Sequence, residues 1–89
     1  MGIETVLFKS EEKKSSKEIA DILRRIADKI ESGSMTLMQN DNKIVLDFPS
    51  SMTLEMKVEE EQGRRLKKSF EIELEWTPGE AEEGGATIL

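Results

Sequence analysis

Apolar and polar positions along this chain follow one helical stretch and several alternating ones. Ile19, Ala20, Ile22, Leu23, Ile26, Ala27 and Ile30 recur at three- and four-residue spacing, which draws one apolar stripe along a helix. Ser15 and Glu18 stand at capping-box spacing ahead of it, and Gly33 sits where a left-handed C-terminal cap belongs, so the helix is expected to begin at Ser15 and end near Ser32. Asp21 with Arg25, and Arg24 with Asp28, lie four residues apart on the opposite face and are expected to pair there. Beyond Gly33 the period becomes two, the period of a half-buried strand. The clearest case is Phe70-Glu71-Ile72-Glu73-Leu74-Glu75-Trp76, in which a one-residue slip would exchange the apolar and acidic faces.

The other alternating runs are Met35 with Leu37, Ile44 with Leu46 and Phe48, and Met52, Leu54, Met56 and Val58. Before the helix, Val6-Leu7-Phe8 is β-prone, with Val6 and Phe8 expected to point inward. A loop at Asp41-Asn42 would set Leu37 opposite Leu46. Pro49-Ser50-Ser51 would pair Phe48 with Met52, and the last turn would pair Val58 with Phe70. Chained together, these registers predict an α+β fold: an N-terminal strand, one amphipathic helix, then a four-stranded antiparallel meander whose inner face the helix covers. The inner rows would be Met35-Phe48-Met52-Trp76, Leu37-Leu46-Leu54-Leu74 and Ile44-Met56-Ile72. The first strand would join the edge beside Phe70–Trp76, with the edge beside Met35–Met38 as the alternative. Trp76 is expected to close one end of the core, and Met38 opposite Val45 to form an apolar corner on the outer face.

The resemblance that these residues carry is to the Amphi-Trp domain family, small prokaryotic proteins named for an amphipathic final strand ending in tryptophan. Ser15-Ser16-Lys17-Glu18-Ile19-Ala20, Leu23 to Gly33, and Phe70 to Trp76 match it, over roughly residues 5 to 76. The resemblance implies the fold and a cytoplasmic location, and carries over no catalytic or binding residue. One domain is therefore expected over residues 1–76. The Gly- and Glu-rich residues 77–89 are expected to form a disordered acidic tail.

Composition narrows the chemistry. With no cysteine and no histidine among 89 residues, thiolate and imidazole nucleophile systems and the usual zinc ligand sets are unavailable. No signal segment or membrane-length apolar run is evident, so a cytoplasmic protein without membrane association is expected. A net charge of −6 opposes counterion-driven binding to nucleic acid. Glu59, Glu60 and Glu61 offer oxygen ligands but lack a calcium-loop spacing, and the glutamates of the last strand are assigned to a solubility surface.

These exclusions lead to a non-catalytic protein-interaction module without metal or cofactor, self-associating through a sheet edge, with an unidentified protein partner. The alternative is a nucleic-acid accessory protein using the basic hairpin Arg64 to Lys68. The residues expected to form an interaction surface are Met38, Val45, Arg64, Arg65, Lys67 and Lys68.

Overall fold

A computed structural model describes residues 2–79. One helix, α1 (Ser16–Ser32), is followed by four strands: β1 (Ser34–Gln39), β2 (Asn42–Asp47), β3 (Thr53–Gln62) and β4 (Leu66–Glu75). The strands make two separate antiparallel hairpins, β1-β2 and β3-β4. The chain divides into two compact units between Phe48 and Pro49.

In the first unit the capping box forms as the sequence predicts. The Ser15 hydroxyl accepts the Glu18 amide at 3.1 Å, and the Glu18 carboxylate accepts the Ser15 amide at 3.0 Å. Gly33 closes α1 at φ 99°, its amide donating to the carbonyls of Lys29 and Ile30. Its own carbonyl receives the Phe48 amide at 2.8 Å, which ties the end of β2 to the end of the helix. On the polar face Asp21 accepts from Lys17 at 3.3 Å and from Arg24 at 2.9 Å, in place of the expected pairing with Arg25. Residues three and four away in either direction are all neighbours on a helix, so spacing alone does not rank them.

α1 packs on β1. Ile26 and Ile30 of the helix, Met35 and Leu37 of β1, and Ile44 and Leu46 of β2 are half-buried. The helix-facing pattern along β1 is therefore the one that the alternation dictates. Ile19, Ile22 and Leu23 remain exposed, and no described residue is fully buried.

The register of β1-β2 differs from expectation. The loop is Asn40-Asp41, with Leu37 opposite Ile44 and Met35 opposite Leu46. Asn40 takes the positive φ, 53°, which asparagine tolerates better than most residues because its short polar side chain bonds locally. Moving the loop one residue toward the N-terminus shifts the pairing by two. Such a shift preserves which face each residue occupies, so the inward sets survive while their partners change. Met38 accordingly lies opposite Lys43 and Val45 opposite Thr36, making the apolar corner a diagonal pair.

Two larger expectations fail. The segment containing Val6, Leu7 and Phe8 is not a strand, although Phe8 is half-buried and the Leu7 carbonyl accepts the Asn42 side-chain amide at 3.2 Å. An apolar run supplies side chains to bury but no hydrogen-bonding edge, and this one is held by a side-chain contact. Nor is there a single four-stranded sheet: β2 and β3 are not neighbours, so Phe48 and Met52 are not ladder partners and the inner rows do not continue across all four strands. Alternation specifies the face of each strand and leaves the choice of neighbour open. Between β2 and β3 lie Phe48, Pro49, Ser50, Ser51 and Met52, where the proline offers no amide to a ladder.

In the second unit Leu54 lies opposite Leu74, Met56 opposite Ile72 and Val58 opposite Phe70, as expected, whereas the ladder ends at Thr53 opposite Glu75, so the expected pairing of Met52 with Trp76 is not part of it. Trp76 follows the end of β4 and is half-buried. Thr77 to Gly79 leave the strand, with Gly79 at φ 78°. The rest of the expected acidic tail lies outside the described residues.

Candidate functional site

The β3-β4 hairpin gathers four of the six residues assigned to an interaction surface. Its strands are ten residues each, long for a hairpin, and they persist because the alternation continues without interruption from Leu54 to Val58 and from Phe70 to Leu74. Gly63, Arg64 and Arg65 form the connecting loop, where the Gly63 amide donates to the Arg65 carbonyl at 3.4 Å. Lys67 and Lys68 follow Leu66 at the start of β4. Met38 and Val45, both exposed, are on the other hairpin.

Charge is distributed unevenly along β3-β4. Near the loop, Glu59, Glu60 and Glu61 face Ser69, Lys68 and Lys67 across the ladder, and Lys68 reaches Glu60 at 3.4 Å. The basic residues thus offset the acidic run beside them, which weakens the case for a phosphate-binding surface. Farther from the loop Lys57 is the one cation, bonded to Glu71 at 3.3 Å and Glu59 at 3.5 Å. The Glu71 hydrogen bond, followed by the charge of Glu59, raises the Lys57 pKa above its ordinary value. Beyond it Glu55 lies opposite Glu73, a like-charge pair that destabilises the ladder. Arg65, Lys67, Glu73 and Glu75 make no ion pair among the described residues. Lys13, Lys14 and Lys17 belong to the other unit, where Lys14 pairs with Glu12 and Lys17 with Asp21.

The opposite face of the hairpin is apolar and open. Leu54, Met56, Val58, Phe70 and Ile72 are between 49% and 72% exposed. Each strand has one hydrogen-bonded neighbour, leaving one edge of β3 and one of β4 without a strand partner among the described residues. Sequence reasoning locates the basic residues of this element but assigns Glu73 and Glu75 only to a solubility surface. The register expected from the sequence already sets Glu73 opposite Glu55 and Glu75 opposite Thr53; what the structure adds is that neither carboxylate makes an ion pair among the described residues.

Recesses are shallow. One of about 430 Å³ on the charged face is lined by Glu55, Lys57, Glu71, Ile72 and Glu73, and its lysine is already bonded to one of those carboxylates. In the first unit a cleft of about 240 Å³ lies between α1 and β1, lined by Ile22, Ile26, Met35 and Leu37 with Arg25, Lys29 and Thr36. Among the described residues no group of three acidic side chains converges as a metal ion would need, and no helix is long and apolar enough to cross a membrane.

No curated protein and no solved structure matches the chain. The Amphi-Trp domain matches residues 1–89, a wider span than the residues that carry the resemblance in the sequence. Together with the capped amphipathic helix and the alternating strand that runs into Trp76, this match places the chain in the Amphi-Trp domain family.

Proposed function

We propose that this chain is a non-catalytic protein-interaction module that associates with a second copy of itself through a sheet edge. The observation that carries the reading is the β3-β4 hairpin, with its open strand edges and largely exposed apolar face. An isolated two-stranded ribbon is at best marginally stable in water, and three or more strands are needed before a sheet stands independently. Unpaired edges of long strands are also ready templates for another chain. A further strand added at the edge therefore stabilises this element, and a second copy is the one partner present wherever the protein is.

Sedimentation velocity over a concentration series tests the reading. A sedimentation coefficient that rises with concentration toward that of a dimer supports it. A single monomeric species throughout the series overturns it.

A further inference from the structure

Resting on that reading of a self-associating module, we infer that the partner edge is β4, paired antiparallel with β4 of a second copy about a two-fold axis at Phe70. In an antiparallel pair the backbone groups of alternate residues point to a given edge, and directly opposed side chains share a face. A strand pairing with its own copy must therefore join odd positions to odd and even to even. Only a few registers satisfy this over β4, and charge separates them.

With the axis at Phe70, Lys67 lies opposite Glu73 of the second copy and Ser69 opposite Glu71, and the loop residue Arg65, just ahead of β4, comes level with Glu75. Each relation occurs twice by symmetry. On the other face Phe70 meets its own copy, Leu66 meets Leu74 and Lys68 meets Ile72. The four charges Arg65, Lys67, Glu73 and Glu75 make no ion pair among the described residues, and Glu73, which keeps the like-charged Glu55 opposite it on β3, gains a cation on its other side. Lys68, which points to the apolar side of the edge and would ordinarily discourage pairing, is already bonded to Glu60.

The neighbouring registers fare worse. An axis at Glu71 opposes that carboxylate to itself, and one at Ile72 sets Glu71 against Glu73 twice. An axis at Ser69 also opposes unlike charges, Lys67 to Glu71 and Arg65 to Glu73, but it shortens the ladder within β4 from residues 66–74 to 66–72 and sets Lys67 against a carboxylate already bonded to Lys57. The edge of β3 is less suited because Lys57 is its single cation among Glu55, Glu59, Glu60 and Glu61, and that lysine is engaged. Pairing through β4 produces an intermolecular sheet ordered β3-β4-β4-β3, which meets the strand number that a lone hairpin lacks.

Two measurements on the full chain test the axis. The first is charge exchange followed by sedimentation equilibrium: Lys67→Glu or Glu73→Lys alone weakens dimerisation about tenfold, because each reversal places two like-charged pairs across the axis. The double variant Lys67→Glu/Glu73→Lys returns to within about threefold of wild type. Far-UV circular dichroism of each variant separates lost association from lost folding. The second uses the absence of native cysteine: single cysteines at Ser69, Phe70, Glu71 and Ile72 are oxidised with copper phenanthroline. Directly opposed positions alone approach disulfide distance, so Phe70→Cys crosslinks and the other three do not. Efficient crosslinking at another position, or a charge exchange that fails to restore dimerisation, overturns this register while self-association stands. A wild-type chain that stays monomeric overturns both.

Discussion

Replacing Ser15 by alanine removes a single acceptor from a helix whose stability has few other sources. The hydroxyl receives the Glu18 amide at 3.1 Å, whereas the reciprocal bond from the Ser15 amide to the Glu18 carboxylate uses backbone and survives the change. Loss of an N-cap of this kind costs about 1 kcal/mol. No described residue of α1 is fully buried and Ile19, Ile22 and Leu23 stay exposed, so packing offers little to offset the loss. For a chain of this size about 1 kcal/mol corresponds to a fall of roughly 4–8 °C in Tm, read from the helical signal at 222 nm in circular dichroism.

Ser15→Asp keeps an acceptor and places a carboxylate at the positive end of the helix dipole, so its Tm should match or exceed that of wild type. Acid titration supplies a second readout. The Ser15 backbone amide, and then its hydroxyl, hold the Glu18 pKa below its ordinary value. A group depressed in the folded state contributes stability above its unfolded pKa, and the contribution is lost as pH falls through the folded pKa. Glu18→Gln should therefore reduce stability at neutral pH and converge with wild type in acid. If Ser15→Ala melts within about 1 °C of wild type, the capping box does not set the stability of this helix and the reasoning fails.

Two other outcomes follow from the geometry. Gly33→Ala should destabilise the first unit by about 1–2 kcal/mol in urea titration, because φ is 99° there and a β-carbon is disfavoured even though no atom lies within 4 Å of its position; Gly33→Asn should recover part of the loss, and an unchanged midpoint for alanine would contradict the assignment. For Lys57, the raised pKa means that its stabilising effect is present below its unfolded pKa and is lost as pH rises through the folded value. Lys57→Met should accordingly remove part of the alkaline decline seen in thermal melts of wild type, and curves of identical shape would show that its bonds to Glu71 and Glu59 do not bear on folding.

How far the fold was legible depended on whether a feature was local. The capping box, the stop at Gly33 and the face of every strand were readable because each depends on residues a few positions apart. The β3-β4 register was readable too, since parity and the Gly63 loop left few choices. At β1-β2 two turns of acceptable chemistry differed by one position, and both preserved the inward faces, so the pattern could not choose between them. For the interaction surface, Arg64 to Lys68 were visible as a basic cluster and the pairing of Glu55 with Glu73 followed from the alternation, but the meaning of the cluster changed once Lys68 was seen bonded to Glu60.

By itself, then, the sequence determined α1 with both of its ends, the two-residue alternation that assigns each strand residue to a face, and the absence of thiol and imidazole chemistry. Only the tertiary structure decided that β2 and β3 are not neighbours, that Val6 to Phe8 form no strand, and which described charges make ion pairs. The physical reason is that side-chain period and capping are properties of a short stretch of backbone. Strand adjacency and charge pairing depend on which of several equally patterned edges meet, and a periodic pattern does not carry that information.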